Sequence, residues 1–490
     1  MDLKNTENLA ANEVYCAQVP VKTYGKVVNA NFPELPQWTR ATVPLVALRS
    51  LLVNAGLDHD NIDSPRWNPL GAMIEDKKVV VKPNWVTHKN GSGYGLDCLV
   101  THPSVIEAVL HYVVKARPKS IVLGDAPIQG CDFEALMSYS GTAEMIHRFS
   151  NNGVHFEVKD FRRTILPEGK QAKKPLEDLS PLDQFILYDV GSESSLEEIT
   201  KPDSEFRVTM YNPDLLKRTH GPGLHQYLIA RDVIEADVVI NVPKLKTHKK
   251  SCITGALKNL VGINGHKEYL PHHRKGNPLN GGDCYPEQSG IKALIEDLSD
   301  ATNRAHGRAS RWLLANVLRA GTGLGRLLNV NNDCEGSWHG NDTVWRMVLD
   351  LQRILRYGRA DGALADAPQR LVLTVTDAII AGEGDGPLAP TPIDLGMMTL
   401  GTNTAAVEWV NALLMGLSPQ RVPLTREAFS SSPHPLAGFS PGDISAFVNG
   451  QAVGVDEIFA QYGRSFRLPK GWQGSCTPAC SEQSSLTPAF

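Results

Sequence analysis

No uninterrupted apolar run in the 490-residue chain approaches the length of a bilayer-spanning helix, so no membrane segment is expected. The first residues, Met1 to Asn12, lack a basic n-region and an apolar h-region, and no signal peptide is read there. Eight cysteines (positions 16, 98, 131, 252, 284, 334, 476 and 480) form no CxxC pair. That scatter fits a reducing compartment better than a disulfide scaffold and makes the cytoplasm the default location. Excess positive charge is missing as well. With 49 Lys+Arg against 53 Asp+Glu the formal net charge is −4, which argues against a general nucleic-acid binder, because neutralising phosphates takes a basic surface. No repeat of fixed period runs through the chain. Its glycine-rich loop, Asn90 to Gly95, has neither the Walker spacing nor the dinucleotide fingerprint, and reads as a lid or turn before a phosphate cradle.

What remains is an ordinary globular composition, 42% hydrophobic and 21% charged, with local patterning that alternates. Continuous apolar runs at Lys78–Lys82, Lys119–Leu123 and Val154–Val158 have the style of buried parallel strands. Between them lie helical stretches, one capped at Thr101-His102-Pro103 with a stripe of Val105, Ile106, Val109, Leu110 and Val113, the next at Phe133–Phe149. This rhythm predicts an α/β fold of mostly parallel sheets with flanking helices, arranged as two α/β lobes around a cleft. The expected divisions are an N-terminal extension packed on the core (1–74), an α/β core (75–275), a helical insertion or lid (276–345), a second α/β lobe (346–465) and a disordered tail (466–490).

The densest chemistry lies between Ala236 and Lys275. A buried strand, Val238–Val242, runs into Pro243 and then Lys244, Lys246, His248 and Lys249; a helix is expected over Ile253–Val261, carrying Lys258, followed by His266, His272 and His273. Ligands of open α/β sheets bind at the carboxyl ends of strands, and this is such an end. Thr254 and Gly255 stand where the helix would start, and unpaired N–H groups there would receive an anion. The lysines add full charges, and the imidazoles supply acid–base chemistry or nitrogen ligands. The plainer reading makes Lys244–Lys250 a solvated loop and His272–His273 a surface pair. Asp125, at a strand end, either holds a hydroxyl, a metal or an imidazole or merely caps a turn. Asp377, Glu383 and Asp385 either face the basic centre across a cleft or rim a glycine-rich turn.

The motifs PKLKTH and TGALKNLVG, with VVVKPNW (79–85), THPSVIEAV (101–109), IVLGDAP (121–127), VTDAIIAGEGDGP (375–387) and GTNTAAVEWVNALLMG (401–416), resemble domain-of-unknown-function family 362, which has no settled activity. Some of its members carry ferredoxin-like cysteine clusters, and this chain does not. The family in turn is distantly similar to lactate racemases of the nickel-pincer type. That second resemblance implies Lys258 as the lysine holding a pyridinium pincer cofactor, with Thr254, Gly255, Lys82 and Asn84 around it. It also implies His248 and His102 as a catalytic pair assisted by Lys246, and His272 or His273 as nickel ligand. The racemases' Asp-x-Thr-Arg-Pro motif is absent, and Lys82-Pro83-Asn84 would stand in its place.

The resulting expectation is an enzyme acting on a small anionic or sugar-like hydroxy compound, isomerase or racemase-like if the nickel-pincer resemblance holds. The alternatives are a phosphate-substrate transferase or hydrolase using another divalent metal, with Asp377 or Asp385 on the ion, and a non-enzymatic anion-binding protein. The partner in each case is a small anion, with neither nucleic acid nor membrane involved.

Overall fold

A computed structural model describes residues 9–20, 23–27, 30–150, 153–166, 177–208, 211–305, 307–327 and 334–477. Its centre is an 11-stranded sheet. In chain order the strands are β1 (Glu13–Gln18), β2 (Lys78–Pro83), β3 (Ser120–Asp125), β4 (His155–Asp160), β5 (Val238–Val242), β6 (Lys244–His248), β7 (Cys252–Thr254), β8 (Leu371–Asp385), β9 (Ala389–Gly401), β10 (Ser445–Val448) and β11 (Gln451–Val453). They lie in the order β11-β10-β1-β9-β8-β5-β2-β3-β4, with β6 beside β8 and β7 beside β6. From β4 to β8 every neighbour is parallel. The antiparallel β8–β9 hairpin then turns the sheet toward β1.

Period-2 geometry explains why β5 reads as unbroken apolar sequence. Val238, Ile240 and Val242 pack into the core under α1 (Val43–Asn54) and α2 (Pro103–Lys115), while Val239 packs into the core on the opposite face. That opposite face is covered by α5 (Val344–Tyr357) and α6 (Thr404–Leu414); between α2 and α5 in the chain lie α3 (Gly290–Arg304) and α4 (Arg308–Leu327). The α2 stripe expected from spacing is buried throughout. Its cap is His102, whose Nδ1 accepts from Ser104 N, and not Thr101. Thr101 instead clasps two strand ends: its hydroxyl donates to Val242 O at 2.7 Å and accepts from Asn84 N at 2.8 Å.

Four expectations change. The segments 75–275 and 346–465, expected as two lobes, share one sheet through the β5–β8 pairing. No helix begins at Ile253; the chain makes the β6–β7 hairpin and then a 3-10 turn, Lys258–Ile263, because Lys244 to His248 pairs with the extended β8 rather than looping into solvent. The strand expected to end at Asp377 continues through Gly382-Glu383-Gly384-Asp385, so that glycine-rich run is half of a hairpin. Residues 466–477 are packed, with Trp472 buried and its Nε1 donating to Lys249 O at 2.6 Å; residues 478–490 lie outside the described residues. Among the described residues no helix is long and apolar enough to cross a membrane.

Two buried ion pairs lock neighbouring strands. Lys82 meets Asp125 at 2.7 Å and Lys244 meets Asp377 at 2.6 Å, all four side chains being almost wholly shielded. Asp377 also accepts from Tyr24 OH at 2.8 Å and His102 N at 2.9 Å. Removing one member of such a pair strands a charge in the interior. We therefore predict that Asp377→Ala lowers the unfolding free energy by about 3–5 kcal/mol, measured by urea denaturation; a loss below about 1 kcal/mol, the worth of a surface pair, would disprove the locking role.

Candidate functional site

The carboxyl ends of β2 and β3, the β6–β7 hairpin and the 3-10 turn enclose a cleft of about 460 Å3. Asn84, Lys246, His248, Thr254, Lys258 and His272 line it, as do Gln129, Lys250, Lys267 and the 385–389 tip of the β8–β9 hairpin. A larger groove of about 1150 Å3 shares Gln129 and Gly130 with it. Four of its charged residues are spent on one another, Arg162–Asp160 at 2.6 Å and Lys159–Asp232 at 2.8 Å.

The cleft's floor is polar and mostly satisfied internally. Lys82 Nζ, beneath it, donates to Pro83 O at 2.8 Å as well as pairing with Asp125. Asp125 also accepts from Trp85 N at 2.6 Å and Ala126 N at 2.9 Å, so it caps the turn and holds an ammonium at once. Gly262 is required above this pair, because a Cβ there would lie 1.8 Å from Asp125 Oδ1. Asn259 knits the floor together: its Oδ1 accepts from Asn84 Nδ2 at 3.0 Å and its Nδ2 donates to Asn241 Oδ1 at 2.8 Å.

Lys246 and Lys258 are different. Both are buried, and among the described residues no carboxylate lies within ion-pairing distance of either. Lys246 donates to Asn84 Oδ1 at 2.9 Å and to Leu99 O. Burial, then the neighbouring Lys244 charge, pulls the Lys246 amine down to about 7. Burial followed by Lys267 and Lys250 pulls Lys258 down to about 7, and burial brings Lys267 to about 8.

The two imidazoles in the cleft are complementary. Burial and the nearby lysines hold both His248 and His272 well below the usual histidine range, so each is neutral at pH 7. His248 Nδ1 accepts the N–H groups of Lys250 (3.0 Å) and Ser251 (3.2 Å), which puts its proton on Nε2. His272 Nδ1 donates to Leu270 O at 2.7 Å, which leaves a lone pair on Nε2. One ring is thus a donor and the other an acceptor.

The remaining sequence-singled residues are dispersed. His102 does not line the cleft. Its ring stacks on Tyr24 at 3.7 Å and 1°, beside the Lys244–Asp377 pair, and burial lowers it to about 4. His273 packs on the side of α3, away from His272. Gly255 and the N–H groups after it are not open to an anion: the buried carboxylate of Glu408, on α6, accepts from Ala256 N at 2.6 Å, and a Cβ on Gly255 would meet Glu408 Oε2 at 2.1 Å. Burial raises Glu408 to about 8 against the pull of the Ala256, Leu257 and Lys258 N–H groups. Of the three carboxylates expected opposite the basic centre, Asp377 is taken by Lys244, Glu383 accepts from Arg467 N, and Asp385 alone reaches the rim. The Asn90–Gly95 loop is tied to that hairpin by Gly91 N donating to Leu388 O. Sequence reading missed Lys267, Gln129 and Glu408. Only Glu408 left a signal, as a lone carboxylate in the apolar helix TAAVEWVNALL.

A thylakoid-associated protein of Synechocystis sp. (strain ATCC 27184 / PCC 6803 / Kazusa) is 29% identical over 237 residues, 47% of this chain and 54% of its own, so the chain spans about half the length of that curated relative. A crystal structure of a protein from Thermotoga maritima corresponds to 74% of this chain and 57% of its own at 12% identity and a TM-score of 0.27, too loose to bear on the fold. These relatives lend no support to the more distant likeness to lactate racemases. Residues 79–180 and 193–412 match the model of a domain of unknown function, DUF362, a span that takes in the whole lysine and histidine stretch; the chain belongs to that family.

Proposed function

We propose that the cleft is the active site of an acid–base enzyme acting on a small anionic hydroxy compound, with proton removal and return, as in an isomerase, the reaction class. The observation that carries this reading is the pairing of two buried lysines that lack carboxylate partners with two neutral imidazoles of opposite hydrogen-bonding sense. A carboxylate or phosphate entering the cleft supplies the missing counter-charge, and Lys246 and Lys258 take up protons as it binds. With the anion held, Nε2 of His272 accepts a proton and Nε2–H of His248 donates one. Thr254 Oγ1 and Gln129 Nε2, both buried without partners among the described residues, are available to substrate hydroxyls.

The nickel-pincer alternative divides these residues. Lys258, His248 and His272 share the cleft, but His102, its second base, is stacked on Tyr24 outside it, and His273 faces away. The set does not fit two imidazoles flanking one carbon, and no step is routed through that cofactor. For the phosphate-transfer alternative, the carboxylates that line the cleft, Asp125, Glu335 and Asp385, form no cluster able to hold a hard divalent ion among the described residues.

Two outcomes are expected. In D2O, NMR should detect solvent deuterium entering at least one member of a panel of small hydroxy acids and sugar acids. His248→Gln and His272→Gln should each slow that exchange by about 100-fold or more, as for loss of a general acid or base. Full exchange in both variants, or none with wild type across the panel, would refute the reading. The second outcome concerns pH. An amine at about 7 in the folded chain and 10.5 unfolded adds stability as pH rises between those values and subtracts it below. A bound anion reverses that loss, so inorganic phosphate should raise the melting temperature more at about pH 6 than at about pH 9. Lys258→Met should weaken phosphate binding by about 10- to 100-fold, the worth of one charge-assisted contact. A phosphate effect independent of pH and of Lys258 would place the anion elsewhere.

A further inference from the structure

On the far side of the His272–His273 step lies a second cluster that the cleft does not use. His273, in a two-residue strand paired with Phe206–Arg207, Cys284, in the loop that follows, and Glu296, on α3, each present a ligand atom, and these atoms lie within 4.8 Å of one another. All three residues are buried. His273 Nδ1 has no hydrogen-bond partner among the described residues, a costly state for a shielded polar atom. A cavity of about 160 Å3 opens beside them, lined by His273, Glu296 and Cys334.

We propose that His273, Cys284 and Glu296 form a zinc site, with a water completing the tetrahedron. Nitrogen, thiolate and carboxylate together match the donor preferences of zinc and not of calcium or magnesium. Zinc–ligand bonds of about 2.0–2.3 Å put tetrahedral donors roughly 3.3–3.8 Å apart, so the cluster needs to close by no more than about 1–1.5 Å on metal entry. The balance is simple. The Cys284 thiol releases its proton to solvent and its sulfur bonds the ion. Glu296, which accepts a hydrogen bond from the Cys284 thiol, exchanges it for a metal–oxygen bond while keeping the Gly276 N–H, now at 3.0 Å. His273 lends a lone pair. One thiolate and one carboxylate cancel the two positive charges, which suits a shielded pocket. The ion ties α3 to the chain segment that carries His272.

The test uses the purified full-length chain, stripped with chelator and titrated with Co2+ alone and then Zn2+ alone. Wild type should show a thiolate-to-cobalt charge-transfer band that one equivalent of Zn2+ abolishes, and Cys284→Ser should lack it. His273→Gln and Glu296→Gln should each weaken Zn2+ binding by at least about tenfold, the loss that even outer-shell changes cause, with circular dichroism checking that they fold. Absence of the band in folded wild type would overturn the proposal, and wild type alone suffices for that. A band retained in Cys284→Ser, or Zn2+ affinity unchanged in the other two variants, would overturn it equally.

Discussion

Everything at the rim of this sheet depends on how its buried ammonium groups are balanced. Lys82 and Lys244 are each matched by a carboxylate from the neighbouring parallel strand, and the matched pairs hold β2 to β3 near their carboxyl ends and β6 to β8 within the ladder. Lys246, two residues along the same strand as Lys244, donates to an amide and a carbonyl oxygen, with no carboxylate at ion-pairing distance among the described residues. Charge left unbalanced in a low-dielectric site is expensive to the fold, and such expense is commonly retained where it serves binding or catalysis. The contrast between paired and unpaired lysines on one strand is what the proposed function rests on, more than any motif.

The parallel half of the sheet was legible because its signals are local. Apolar runs such as Val238–Val242 are buried on both faces, and the α2 stripe recurs with helical spacing. The stretch from Lys244 to His248 was legible as important but not as a strand. Alternation of charged and neutral residues is what an exposed edge looks like, and nothing nearby in sequence reveals that Asp377 and the continuation of β8 lie more than a hundred residues away waiting to pair with it. The same limit hid Glu408, which occupies the backbone donors that a sequence reading assigns to an incoming anion.

Histidine roles illustrate the point at single-residue scale. His248, His272, His273 and His102 are equivalent letters in a motif scan. Their tautomers and partners, set by Lys250 N, Leu270 O and the Tyr24 ring, divide them into a donor, an acceptor and two residues that belong elsewhere. Position in sequence found the neighbourhood, while hydrogen-bond geometry distributed the roles.

The long β8 strand carries one more implication. It leaves the company of β5 at Thr374 and continues beside β6 to Gly382 before turning at Asp385, so the wall under Lys246 is laddered backbone and not a loop. Laddered backbone yields little to a visitor of the wrong shape. If the cleft takes the guest proposed for it, discrimination would accordingly fall to the other groups on its lining, the hairpin tip at 385–389 with Lys250, Glu335 and Ser337.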